Sequence, residues 1–128
     1  MNGVVVDTSV WIDLFAGRAV PYLEDALVHG SVIRPPLVVA ELVRDARRRR
    51  DRVAIADLIR ELPSHETPPD HWMPVGELRR SLRGRGLAVS RPDAHVAQCA
   101  LDRDAVQRSR DAVFARIAAI VRLRLRTS

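Results

Sequence analysis

The sequence of 128 residues contains no lysine: all 21 basic residues are arginines, set against 16 acids for a net charge of +5. Such a surplus of guanidinium groups attracts phosphates and holds them bidentately, which makes nucleic acid the first partner class to consider. An acidic protein partner would satisfy the same field. Cysteine is nearly absent as well. Cys99 stands alone, so no intrachain disulfide forms, and a reducing, cytoplasmic compartment is the expectation. Aromatic residues are scarce, with two Trp, two Phe and one Tyr, so the core is to be built from Val, Leu, Ile and Ala. No apolar run approaches the roughly 18 residues of a membrane span, and the N-terminus has no signal-peptide pattern, so no membrane association is expected. No repeat, low-complexity tract or linker divides the chain, and its length suits one domain over 1–128.

With 47% hydrophobic and 29% charged residues, the chain has the composition of a globular domain rather than a disordered one. Val4 to Val6 read as a short buried strand, and Ser9 to Phe15 as a helix stopped at Gly17. A second helix covers Val20 to Val28 and a brief strand Ser31 to Arg34. Pro36 opens a helix through Ala46, and Asp51 to Leu62 continue helically. Ser64 to Pro74 contain three prolines and read as an irregular connection with room for one short strand. Helices follow at Val75 to Leu82, Pro92 to Leu101 and Asp111 to Val121, with strands at Ala105 to Arg108 and Arg122 to Arg126. Strands alternating with helices predict an α/β fold on a parallel sheet.

Four acids hold special positions in that frame. Asp7 ends the first strand, where parallel sheets bind ligands, although Asp, Thr and Ser at 7 to 9 are also good helix caps. Glu41 lies one turn into the helix opened by Pro36, flanked by apolar residues, with Arg44 or Arg47 as an alternative structural partner. Asp93 follows Pro92 on the same face as Ala97, Ala100 and Leu101. Asp111 precedes the last helix, where capping explains it equally well. Helices in a parallel sheet begin at the edge where strands finish, so all four can meet in one cleft. Crowded carboxylates need a counter-charge, and a hard cation such as Mg²⁺, or Mn²⁺, supplies it. No Cys or His cluster has zinc spacing. Cys99 reads as a small core residue, and His65, His71 and His95 as surface or loop residues without a catalytic pairing.

The run Val-Val-Val-Asp7-Thr8-Ser9-Val-Trp-Ile-Asp, the element Pro35-Pro36-Leu-Val-Val-Ala-Glu41-Leu, Arg91-Pro92-Asp93-Ala94, and Arg110-Asp111-Ala-Val-Phe114-Ala-Arg116-Ile117 resemble the four sequence blocks of PIN-domain ribonucleases. In size and first motif the chain is similar to the VapC toxins of bacterial VapBC toxin–antitoxin pairs. The resemblance runs in order over nearly the whole chain. It departs in the fourth block, where many relatives carry a further acid at the position of Val113.

This resemblance implies a PIN-like three-layer α/β/α fold with a central parallel sheet of about four to five short strands. It implies a Mg²⁺-dependent endoribonuclease, the toxin of a type II toxin–antitoxin system, cleaving cellular RNA (tRNA, rRNA or mRNA) by an activated water. Asp7 and Asp93 are then the principal metal ligands, with Glu41 and Asp111 ligating through water or orienting the attacking water. Thr8 and Ser9 support them by hydrogen bonds to phosphate or water. A VapB-type antitoxin and a homodimer formed through the first helices are the implied protein partners, and the apolar Val10, Leu14 and Leu27 permit the dimer. Arg44, Arg47, Arg48, Arg79 and Arg83, within a wider set of arginines, are candidates for an RNA phosphate track, against the alternative of solvated helix ends. The rival function is a non-catalytic nucleic-acid-binding module of the same fold, favoured by the charge and by Val113.

Overall fold

The computed structural model describes residues 3–61 and 67–127. In chain order the elements are β1 (Val4–Val6), α1 (Thr8–Phe15), α2 (Pro21–Val28), β2 (Val32–Ile33), α3 (Pro36–Asp45), α4 (Arg49–Glu61), α5 (Trp72–Gly84), α6 (Arg91–Asp102), β3 (Val106–Ser109), α7 (Ala112–Ala118) and β4 (Arg124–Thr127). The four strands form one parallel sheet in the order β2-β1-β3-β4. Val4 is in register with both Val32 and Val106, which makes β1 an interior strand.

Successive residues of a strand face opposite sides of the sheet, and Val5 and Val6 are both 0% exposed. Helices therefore cover both faces, the situation in which a strand reads as an unbroken β-branched run. α6 packs on β1 and β3, α7 on β4, and α2 on β2. Gly3 allows β2 to close against β1: its φ is +90°, and a Cβ there would stand 2.9 Å from the Ser31 carbonyl oxygen.

The strand order fixes where a site can form. From β1 the chain steps to β2 on one side, then crosses back to β3 on the other, so β1 and β3 flank the point where the winding reverses. Connections there leave toward opposite faces and open a crevice at the carboxyl ends of the two strands. Asp7 follows β1 directly, and Ser109 to Asp111 follow β3.

Several boundaries differ from the sequence expectation. α5 starts at Trp72, with Pro74 in its first turn, where a missing N–H removes no intrahelical bond. The stretch 67–71 contains no strand; Ser64 and His65 lie outside the described residues. α7 ends at Ala118 rather than Val121. Val10 is buried in the core of the chain itself, which removes it from the surface proposed for a dimer.

Candidate active site

Asp7 occupies the N-cap position of α1 but makes no side-chain capping bond. Both carboxylate oxygens are used otherwise. Oδ1 accepts from the Ser9 hydroxyl at 2.9 Å, and Oδ2 accepts from the Ser109 hydroxyl at 2.7 Å. Ser109 is also the acceptor for the backbone N–H of Asp111 at 3.0 Å. One serine thus ties the end of β3 to the end of β1 and sets the orientation of a carboxylate that is 9% exposed.

Asp111 does cap α7, accepting from the Val113 N–H through Oδ1 at 3.0 Å. Asp93 lies in the first turn of α6, and its N–H donates to the Ser90 hydroxyl at 3.2 Å, so Ser90 is the cap while the Asp93 carboxylate lines the cleft. Glu41 projects from α3, which packs against both α1 and α6. The Arg44 guanidinium approaches it to 4.0 Å, a long ion pair that leaves most of the carboxylate's environment acidic.

These side chains line a single cleft of about 510 Å³, bounded by Asp7, Thr8, Ser9, Glu41, Asp93, Val96, Arg110 and Asp111. The electrostatics follow from the crowding. Burial pushes the Glu41 carboxyl above its ordinary range; Arg44 opposes this, and Asp93, Asp45 and Asp7 add to it. Asp93 is raised by burial, against the Ser90 hydrogen bond, and further by Asp111 and Asp7. Glu41 and Asp93 are both raised further by neighbouring carboxylates, so a positive charge in the cleft is favourable to them. Hard oxygen donors short of counter-charge fit a Mg²⁺ or Mn²⁺ ion.

Arg110 and Ser109 were not singled out by sequence reasoning. Arg110 lines the cleft and ion-pairs with Asp13, whose other oxygen holds Arg18 at 2.6 Å. Only their adjacency to Asp111 could have marked them. The arginines expected to form an RNA track are dispersed. Arg44 pairs with Asp45 at 3.0 Å, and Arg79 donates to the Val89 carbonyl at 2.9 Å. Arg83 sits in the last turn of α5. Arg47 and Arg48 line a different groove of about 440 Å³, whose walls include Ile12, Phe15, Leu42 and Ile55.

The histidines require a correction. His71 and His95 are neither surface nor loop-exposed: they are 2% and 0% exposed and hydrogen-bonded to each other at 2.8 Å. α5 packs on α6 and brings together residues 24 positions apart, which local spacing does not reveal.

Comparison with known proteins agrees with the fold. Residues 4–120 match the family model described as PIN domain. No curated protein matches the chain by sequence. Among solved structures, the chain is similar to VapBC2 from Rickettsia felis, crystallised with a DNA fragment from their promoter, with TM-score 0.76 and 17% identity over 98% of both chains. It is also similar to FitAcB from Neisseria gonorrhoeae, with TM-score 0.64 and 17% identity over 95% of both chains.

Proposed function

Because the chain belongs to the PIN domain family, we propose that it is a metal-dependent endoribonuclease acting in the cytoplasm as the toxin of a VapBC-type toxin–antitoxin pair. The convergence of Asp7, Glu41, Asp93 and Asp111 on one cleft carries this reading, with Asp7 oriented through both of its oxygens. Four carboxylates held in proximity are costly for stability, and a phosphodiesterase centre gives them a use.

Asp7 and Asp93 are the proposed principal ligands for Mg²⁺ or Mn²⁺. A bound ion of this kind supplies Lewis-acid polarisation of a phosphodiester. Glu41, its proton affinity raised by its surroundings, is suited to orient the attacking water and accept its proton. Asp111 shares that task with the oxygen not engaged in capping. Ser9 and Ser109 hold Asp7, Thr8 offers a hydroxyl at the cleft, and Arg110 presents a cation to the substrate phosphate. The substrate class is single-stranded or looped RNA.

The protein partner proposed is a small VapB-type antitoxin. The groove lined by Ile12, Phe15, Leu42 and Ile55, with Arg47, Arg48 and Arg50 outnumbering Asp45 and Asp51, suits an amphipathic segment with acidic residues. For a homodimer through the first helices, the available apolar residues are Ile12 and Val28, which are 45% and 84% exposed.

Sequencing RNA ends after brief expression of the wild type beside Asp7→Asn tests the assignment. Discrete new ends are expected with the wild type alone; the same ends from both proteins would reject it. Salt-sensitive RNA binding without any cleavage would favour the non-catalytic module instead.

A further inference from the structure

α6 carries a second set of ligand-type side chains on the side away from Asp93. His95, Cys99 and Asp102 recur at i, i+4 and i+7 along one helical face. His71, immediately before α5, faces them. Donor atoms of His71, His95 and Cys99 lie within 4.8 Å of one another, and all three residues are buried. The Cys99 sulfur is 3.9 Å from His95 Nε2, and an Asp102 carboxylate oxygen is 3.6 Å from His71 Nδ1. Trp72 stacks over the His95 ring, with centroids 5.1 Å apart, and shields one side of the cluster.

The hydrogen bonds leave one nitrogen without a partner. The Leu37 N–H donates to His95 Nε2 at 3.4 Å, so the neutral His95 ring bears its proton on Nδ1 and donates it to His71 Nε2. His71 then bears its own proton on Nδ1. That buried atom has no hydrogen-bond partner, because the Asp102 oxygen is too distant to serve. It borders a cavity of about 200 Å³ also lined by Cys99 and Asp102, and by Arg34, whose guanidinium donates to the Ile59 carbonyl, and Arg103. A buried imidazole N–H left unpaired is destabilising.

We propose that His71, His95 and Cys99, with Asp102 as the fourth donor, form a binding site for a zinc-type divalent ion, separate from the carboxylate cleft. Nitrogen and sulfur donors select Zn²⁺ over Mg²⁺, and a tetrahedral ion draws its donors closer together than the 4.8 Å within which these three now lie. The site ties the start of α5 to α6, the helix that also carries Asp93. Binding is balanced by the loss of one proton. Ligation through His71 Nδ1 and His95 Nε2 moves the His71 proton from Nδ1 to Nε2, so the His71–His95 hydrogen bond is given up and the two rings part; the Cys99 thiol releases its proton to solvent as the sulfur–metal bond forms. Burial holds the free thiol at about 12 and His95 at about 4. The His95 imidazole is thus neutral at neutral pH, whereas the thiol ionises only against the metal.

The test is a Co²⁺ titration of the full chain after chelator treatment. Cys99 is the only cysteine, so a thiolate-to-cobalt absorption band reports this sulfur alone. The expected result is one equivalent of Co²⁺ with that band, displaced by Zn²⁺, and a melting temperature that rises with Zn²⁺ concentration. Asp7→Asn is expected to retain the band, and His71→Gln to weaken the affinity at least tenfold. Absence of the band in the folded wild type overturns the site. So does a band lost in Asp7→Asn or unchanged in His71→Gln. The wild-type titration decides the matter even where a variant fails to fold.

Discussion

Ser109 donates its hydroxyl to Asp7 at 2.7 Å, linking residues 102 positions apart at the ends of two adjacent strands. Hydrogen bonds to a charged group contribute about 1.5–3 kcal/mol. Ser109→Ala is therefore expected to slow RNA cleavage by about 10- to 100-fold. Ser109→Thr, which restores the hydroxyl, is expected to recover most of the rate. Single-turnover kinetics with saturating enzyme check this; a rate unchanged in Ser109→Ala would remove Ser109 from the site.

Glu41 and Asp93 govern the pH response of the metal-free protein. Their folded-state pKa values are raised above the unfolded ones, chiefly by burial. The folded state then binds more protons than the unfolded state between those limits. Their contribution to stability is fully present below the unfolded values and is lost as pH rises through the raised ones. Asp93→Asn is expected to raise the melting temperature of the metal-free protein at pH 7 while abolishing cleavage, with the stability gain shrinking as pH falls below the carboxylate range. Thermal melts across pH with EDTA present measure this, and a gain that grows toward low pH would contradict it.

Arg110 is the one cation lining the cleft among the described residues. Arg110→Ala is expected to weaken RNA binding and to reduce the slope of log affinity against log salt by about 0.7, the value for one phosphate contact to a single strand. Filter binding at several salt concentrations, using the inactive Asp7→Asn background, provides the slope. An unaltered slope would mean that Asp13 holds Arg110 away from the RNA.

Gln107 is 0% exposed in the middle of the sheet, and both polar atoms of its side-chain amide lack hydrogen-bond partners. It pairs in register with Val5 and Leu125. Gln107→Leu keeps the volume and removes the unmet polar atoms, so a stabilisation of about 1 kcal/mol is expected, near 4 °C in melting temperature. Calorimetry checks it; a lowered melting temperature would show that the amide is satisfied in solution.

The features legible in the sequence were those carried by local pattern. The valine run before Asp7 requires a strand covered on both faces, and Pro36, Pro92 and Asp111 mark helix starts. Since helix starts and strand ends share one edge, those signals also placed the four acids. Ser109 was hidden because its role depends on the pairing of β1 with β3, a contact with no local signature. The partnership of His71 with His95 was hidden for the same reason, since it arises from the packing of α5 on α6. The arginine run was visible as charge, but side-chain pairing and helix direction decide which guanidinium reaches the cleft. Arg110 does so because it sits between Ser109 and Asp111.

The central claim is that Asp7 belongs to a metal-dependent phosphodiesterase centre, and one measurement addresses it most directly: cleavage of an RNA substrate by wild type and Asp7→Asn, in EDTA and with Mg²⁺ or Mn²⁺ restored. The predicted result is cleavage by the wild type only when metal is present, with a loss of at least 100-fold in Asp7→Asn and far-UV circular dichroism unchanged. Cleavage that persists in EDTA, or an Asp7→Asn protein as active as the wild type, would contradict it.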